Sequence, residues 1–321
     1  MLARHEIERL AASPDSNVLR DVIDRIENGY RDVAEGVIRE HSRIYLRYPE
    51  DGSRRAPGLF SMSAVLPNSG YMGSRLLALG GGHYSEGLLV LFEYGSNKCL
   101  SIQDDSTLHM FRSGAPQALS TRLLARPDSK VVGVLGSSAM AIGGLTMVKA
   151  AMPLVNRAKV YSPTPANRER FARNMTDRLG MEVTAVESPD EAVAGTDIIV
   201  TATDADRPVV SDAAIPDGVH INLMARNEIE LATFKRSKVV SASNKALREL
   251  DPPLHEPIPW DWIHAELSDI VTGTAPGRTS DKEITVFIGV TPLAMWDVAA
   301  AAAFYEAAKR LGYGTDVELA T

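Results

Sequence analysis

The spacing of apolar residues predicts a helix, then short strands, then a second helix near the end of the chain. Apolar positions recur at helical spacing over residues 17–40, which predicts one long amphipathic helix. Over residues 43–100 the pattern changes to short apolar runs (44–46, 75–79 and 88–94) separated by Gly, Pro and Ser, which is typical of antiparallel strands. Residues 293–311 predict an alanine-rich helix that ends at Gly312.

In the middle of the chain, apolar strands alternate with helices. Residues 131–136 form a continuous apolar run, as expected of a strand buried on both faces of a parallel sheet. Helices are predicted over 139–151 and from Pro165, capped by Thr164, to a stop at Gly180. The other strands are predicted at 159–162, 182–186, 197–203, 219–224 and 238–243. This alternation predicts an α/β fold class with a Rossmann-type doubly wound parallel sheet.

Composition and charge narrow the class of protein. A chain of 321 residues with 45% hydrophobic and 23% charged residues is ordinary for a globular protein of about two domains. The net charge of −7 favours neither nucleic acid nor an anionic membrane as a partner. Cys99 is the only cysteine, and we see neither a signal peptide nor an apolar stretch long enough to span a bilayer. We therefore expect a cytoplasmic protein.

The loop after the first parallel strand has the residues of a dinucleotide site. Such a site needs a tight turn, close approach of the backbone to the pyrophosphate, and a helix N-terminus that faces the anion. Gly136 supplies the turn and Ala141 permits close helix packing. The loop residues that we assign to the cofactor are Gly136, Ser137, Ser138, Ala139 and Met140. The alternative is a sheet that merely uses a tight turn.

The same loop has a second alternative, the nucleophile elbow of a hydrolase. Ser138 would be the nucleophile, and Asp204 and His220 follow in the required order. Met140 stands where that motif needs glycine, so we favour the dinucleotide site. None of the seven histidines forms a metal-binding pattern, and we expect no metal.

The end of the second parallel strand indicates which dinucleotide is bound. An acidic residue at this turn binds the adenosine ribose of NAD(H), and a 2′-phosphate selects against it. Here Ser162 and Thr164 occupy the turn, and Arg168 follows in the helix. Hydroxyls and a guanidinium suit a phosphate better, so NADP(H) is favoured over NAD(H). The alternative is that Arg168 and Arg170 are solvated helix residues.

Arg112 stands just before the predicted nucleotide domain. A guanidinium at this position could hold a substrate carboxylate with two parallel hydrogen bonds. The alternative role is a salt bridge between domains.

Several motifs along the chain resemble those of the ornithine cyclodeaminase/μ-crystallin family. They are RSGA at 112–115, LLARPD at 123–128, VGVLG at 132–136, AVAGTDIIVTAT at 192–203, GxxPGR at 273–278, EITVF at 283–287 and Asp297. The resemblance implies a homodimer. It also implies a substrate-binding and dimerisation domain over 1–118, rejoined by 293–321, and a dinucleotide-binding domain over 119–292. Family members interconvert amino and imino acids by hydride transfer or cyclise a diamino acid with loss of ammonia, and some chiefly bind a ligand.

The chain departs from the family pattern at positions that carry chemistry. Ser138 and Met140 replace the second glycine and the glutamine of the loop, and Ile288-Gly289 replaces a Lys-Ser pair. Arg75 aligns with the substrate-binding lysine; an arginine binds anions but does not give up its proton at working pH. The catalytic aspartate region is shortened, which leaves Asn227 or Glu228 as its nearest equivalent.

We therefore predict an NADP(H)-dependent oxidoreductase that acts on a small amino or imino acid. Arg112 would hold the carboxylate, Arg75 a second anionic or polar group, and Glu228 or Asn227 would serve as general acid/base. The remaining residues assigned to the cofactor are Ser162, Thr164, Arg168, Thr201, Ala202 and Thr203. The main alternative is a dinucleotide- and ligand-binding protein with little turnover, and a cyclodeaminase that releases ammonia is a minor one.

Overall fold

The computed structural model describes residues 1–49, 56–80, 83–224, 228–249 and 257–318. The chain forms two compact units. Unit 1 consists of Met1–Arg112 with Leu293–Thr321, and unit 2 is Ser113–Pro292. The sequence prediction put this boundary at residue 118.

The helices are α1 (Arg4–Ala12), α2 (Val18–Ala34), α3 (Asp105–Leu124), α4 (Ala139–Ala151), α5 (Pro165–Leu179), α6 (Pro189–Val193), α7 (Leu231–Lys235), α8 (Asn244–Arg248), α9 (Leu267–Thr272) and α10 (Ala294–Leu311). The strands are β1 (Arg39–Arg47), β2 (Gly58–Leu66), β3 (Tyr71–Gly80), β4 (His83–Glu93), β5 (Cys99–Asp104), β6 (Val131–Leu135), β7 (Arg157–Tyr161), β8 (Glu182–Ala185), β9 (Ile198–Thr201), β10 (His220–Leu223), β11 (Ser237–Ser241), β12 (Ile263–Glu266) and β13 (Ile284–Ile288). None of the described helices is long and apolar enough to cross a membrane.

Unit 1 is built on an antiparallel sheet with the strand order β1-β2-β3-β4-β5. Alternate side chains of β2, such as Phe60 and Met62, are buried on one face of this sheet. Helix α10 packs against β2, β3, β4 and α2. Its five consecutive alanines are buried, because small side chains let the helix approach the sheet closely.

Unit 2 confirms the predicted fold class. Its eight strands are all parallel, in the order β12-β11-β13-β10-β9-β6-β7-β8. Every residue of β9, β10 and β13 is buried, which explains why apolar residues predominate in β9 and β13. Two apolar clusters cover the sheet: one contains Leu145 and Phe171, and the other contains Val193 and Phe234.

The chain differs from the sequence prediction at two long helices. The helix predicted over 17–40 ends at Ala34, because Gly36 takes the left-handed conformation (φ 68°) and β1 begins at Arg39. Helix α3 was not predicted. It carries Pro116 in its interior and is buried on most sides, so it lacks the one-sided apolar stripe of a surface helix.

Candidate functional site

The loop between β6 and α4 is shaped by Gly136. This residue has φ +108°, and a Cβ atom here would lie 2.3 Å from the carbonyl oxygen of Ala202 at the end of β9. The Gly136 N–H donates to the Tyr161 carbonyl of β7 at 2.8 Å. Only glycine fits this position, and its missing side chain lets the loop lie directly against the segment that follows β9. A tight turn between a strand and a helix is one requirement of a pyrophosphate site.

The serines of this loop bind neighbouring strand ends. The Ser137 hydroxyl donates to the Ser162 hydroxyl at 3.0 Å, and the Ser138 hydroxyl donates to the Ala202 carbonyl at 3.3 Å. Ser138 precedes α4 without capping it, so its hydroxyl does not take the first N–H groups of that helix. Ala139 is exposed, whereas Met140 packs against the apolar core and offers an anion only its backbone N–H. The first turn of α4 therefore suits an anion.

Arg168 is buried at the carboxyl edge of the sheet, with 5% of its surface exposed. Its Nη1 donates to the Ser162 carbonyl at 3.2 Å, and its Nη2 forms an ion pair with the Glu187 carboxylate. Thr164 is exposed at the start of α5, and Arg170 is exposed and binds Asn167. The structure thus brings Ser137, Ser162 and Arg168 together by hydrogen bonds. Glu187 was not predicted from the sequence, because the acidic residue that binds the ribose is expected after the second strand, β7.

Glu228 is hydrogen-bonded to the end of β9 and to the loop that follows it. Its carboxylate accepts hydrogen bonds from the Thr201 hydroxyl and from the Thr203 N–H, the latter at 2.5 Å, and Glu228 is 0% exposed. These bonds fix the segment Thr201, Ala202 and Thr203 at the edge of the sheet. Asn227, the other acid/base candidate, lies outside the described residues.

In unit 1, Arg75 and Arg112 lie in one buried cluster of charged side chains. The Nε and Nη2 atoms of Arg75 donate to the two carboxylate oxygens of Asp105, each at 2.7 Å. The Arg112 Nε lies 3.0 Å from Oδ1 of Asp297, and the Arg75 Nε lies 3.8 Å from the same oxygen. All four side chains are at most 3% exposed.

Burial shifts the charge state of this cluster. It lowers the pKa of Arg112 to about 10 and raises the pKa of Asp297, although the two groups attract each other. Burial lowers the pKa of His109 well below its usual value, and Arg112, Arg75 and Arg43 lower it further. The imidazole is therefore neutral at pH 7. Arg43, Arg75 and Arg112 together carry one more charge than Asp105 and Asp297, so this part of unit 1 has a net positive charge that suits an anionic ligand.

Asp297 was predicted from the sequence only as part of a motif, and Asp105 and His109 were not predicted as site residues. One signal was present in the sequence. Asp297 is a single carboxylate within an otherwise apolar helical run, which is typical of a buried charge with a partner. No group of three His, Cys, Asp or Glu side chains in the described parts of the chain could hold a metal ion.

Comparison with known proteins extends these observations. The model of the ornithine cyclodeaminase/mu-crystallin family matches residues 4–311. A Delta(1)-pyrroline-2-carboxylate reductase of Bacillus cereus is 33% identical over 72% of this chain and 74% of its own length. An alanine dehydrogenase of Archaeoglobus fulgidus is 26% identical over 99% of this chain and 98% of its own. The structure of Thermococcus litoralis Delta(1)-pyrroline-2-carboxylate reductase in complex with NADH and L-proline superposes with a TM-score of 0.84, at 29% identity, over 98% of this chain and 99% of the other.

Proposed function

The chain belongs to the ornithine cyclodeaminase/mu-crystallin family, and we propose that it is an NAD(P)-dependent oxidoreductase that interconverts a small imino acid and its amino acid. The observation that carries this proposal is the burial of Arg112 and Arg75 in one cluster of charged side chains in unit 1. Such a cluster suits the carboxylate that every amino or imino acid carries. Relatives named as reductases of a cyclic imino acid and as alanine dehydrogenase agree with this substrate class.

Unit 2 fits a dinucleotide. The tight turn at Gly136 and the uncapped first turn of α4 suit a pyrophosphate, with Ser137, Ser138, Ala139 and Met140 around it. The bound nicotinamide supplies or accepts the hydride, and the protein supplies binding and orientation.

Each predicted site residue has a proposed role. Arg112 holds the substrate carboxylate, and Arg75, already paired with Asp105, adds positive charge to the same place. Glu228 and Asn227 remain the proposed acid/base groups. The Thr201 hydroxyl donates to Glu228 and fixes the orientation of that carboxylate.

We propose NADP(H) rather than NAD(H) as the preferred cofactor. The turn after β7 carries Ser162 and Thr164 instead of a carboxylate, and Arg168 is the nearby guanidinium that a 2′-phosphate would use. The segment Thr201, Ala202 and Thr203 completes the proposed cofactor site at the end of β9.

The function is tested by cofactor oxidation. NADPH should be oxidised in the presence of Δ1-pyrroline-2-carboxylate, or of pyruvate with ammonia, with a turnover above about one per second. The KM for NADPH should be lower than that for NADH. Saturable binding of cofactor and imino acid without oxidation of the cofactor would instead support a binding protein. This is the second candidate function, because Arg75 already donates to both carboxylate oxygens of Asp105. Ammonia release from ornithine with no net change in the cofactor would point to a cyclodeaminase.

We further propose that the protein is a homodimer through the outer face of the unit 1 sheet. Strand pairing places Ile44, Ser61, Leu76 and Leu88 in one row across β1 to β4. Ile44 and Leu88 are 45% and 49% exposed, and Leu46, in the next row, is 64% exposed. An apolar patch of this kind marks an interaction surface, and a sheet face can pair with its own copy about a twofold axis.

Light scattering should give a particle of about twice the chain mass at micromolar concentration. Leu46→Lys should weaken this dimer, because it places a charge on the face that we propose is buried. Leu154→Lys is the matched control, since Leu154 is also an exposed leucine (55%) but belongs to unit 2. A monomer for the unchanged chain, or equal weakening by both substitutions, would contradict the proposal.

A further inference from the structure

The ion pair between Arg168 and Glu187 joins one buried and one exposed side chain. The Arg168 side chain is 7% exposed, whereas the Glu187 side chain is 82% exposed. The Glu187 backbone is fixed, because its N–H donates to Oε2 of Glu191 at 3.1 Å. The carboxylate therefore stands at the surface as the counter-ion of a buried guanidinium.

This pair is connected to the dinucleotide loop. Arg168 donates to the Ser162 carbonyl, and the Ser162 hydroxyl accepts from Ser137 in the loop. Strands β7 and β8 are paired in parallel, with Val160 opposite Ala185, so Ser162 and Glu187 both follow strands that end at one edge. In a Rossmann-type sheet this edge, beside the phosphate loop, receives the adenosine ribose.

We propose that Glu187 is a specificity-determining residue that occupies the place of the cofactor's 2′-phosphate on Arg168 and is displaced when NADP(H) binds. A buried guanidinium needs an anion, since leaving it unpaired is costly. NADH brings no anion to the ribose 2′ position, so Glu187 stays paired with Arg168 when NADH binds. NADPH brings a phosphate that can bind the guanidinium with two hydrogen bonds.

Displacement is feasible because the carboxylate is exposed. The incoming phosphate replaces the carboxylate as the anion of Arg168, so Glu187 can turn into water without leaving the guanidinium unpaired. While it is present, Glu187 competes with the phosphate and repels it. Its expected effect is therefore to weaken NADPH binding and leave NADH binding unchanged.

The test is calorimetric titration of Glu187→Gln with NADPH and NADH. We expect NADPH to bind about three- to five-fold more tightly than to the unchanged protein, as removal of a competing surface ion pair predicts, with NADH affinity unchanged. Glu182→Gln is the matched control, because it removes an exposed carboxylate from the other end of β8. If Glu187→Gln leaves NADPH affinity unchanged, or weakens NADH binding because Glu187 itself binds the ribose hydroxyls, the inference is overturned.

This inference rests on the proposed NADP(H) preference, and the substitution of Arg168 separates the two. Arg168→Ala should weaken binding of 2′-phospho-ADP-ribose and spare ADP-ribose; Arg168→Lys serves the same purpose if the alanine variant does not fold. If Arg168 substitution leaves binding of the phosphorylated ligand unchanged, the NADP(H) preference itself is wrong. If it weakens that binding while Glu187→Gln has no effect, only the role of Glu187 is wrong.

Discussion

Replacing Arg112 with lysine should lower kcat/KM for the imino acid by about two orders of magnitude or more. A guanidinium and a carboxylate form two parallel hydrogen bonds, and an ammonium reproduces neither the geometry nor the number of donors. Loss of a charge-assisted contact in a buried site costs several kcal/mol, and each ~1.4 kcal/mol is a factor of ten in rate. Steady-state kinetics with the substrate that supports cofactor oxidation measures this loss.

The environment of Arg112 makes lysine an even poorer substitute. Burial lowers the pKa of Arg112 to about 10, which still leaves the guanidinium charged at pH 7. A lysine starts from a lower pKa, and the same burial would shift it further toward the neutral amine. The orientation of the side chain matters too. Because Nε faces Asp297, a substrate carboxylate would be held by the two terminal nitrogens.

Cofactor binding provides the control for this prediction. Arg112 belongs to unit 1 and the phosphate loop to unit 2, so NADPH affinity should be nearly unchanged in Arg112→Lys. Arg4→Lys, at an exposed position of α1, should change neither quantity. Near-normal turnover in Arg112→Lys, or loss of cofactor binding instead of substrate binding, would show that Arg112 is not the carboxylate anchor.

In unit 2, strands β6 to β11 and helices α4 and α5 were predictable because they carry local signals, whereas β12, β13 and the short helices α7 to α9 were not predicted. Helix α4 has the bounds that its apolar run predicts. Helix α5 begins after Thr164 and ends where Gly180 adopts the left-handed conformation (φ 60°), as the capping residues indicate. The central strands are buried on both faces, and the apolar runs of β6 and β9 show this burial in the sequence.

The partners of the site residues were not predictable, because they are distant in sequence. Arg75 of β3 pairs with Asp105, the first residue of α3. Arg112 pairs with Asp297, which lies near the other end of the chain. Glu187, two residues after the end of β8, pairs with Arg168, whereas the Rossmann pattern predicts an acidic residue after β7. The sequence shows which residues are charged, but which of them contact one another depends on the tertiary fold.

The pairing of Arg112 with Asp297 has a consequence for stability that an exposed ion pair lacks. Burial shifts the pKa of each group toward its neutral form, so desolvation outweighs their mutual attraction. In the described part of the chain, neither oxygen of Asp297 accepts a hydrogen bond. The pair is thus costly to bury but more costly to break, since removal of one partner leaves the other charge without compensation.

Asp297→Asn should therefore lower the free energy of unfolding by about 3–5 kcal/mol, as measured by the shift of the urea midpoint. Glu169→Gln removes the partner of Arg173 in an exposed pair and should cost at most ~1 kcal/mol. The double substitution Arg112→Met with Asp297→Leu should recover most of the stability, because an apolar pair needs no compensation, while activity stays lost. Two results would contradict this role of Asp297 as the counter-ion of the buried Arg112. Asp297→Asn could be no more destabilising than Glu169→Gln, or the double substitution could be less stable than Asp297→Asn alone.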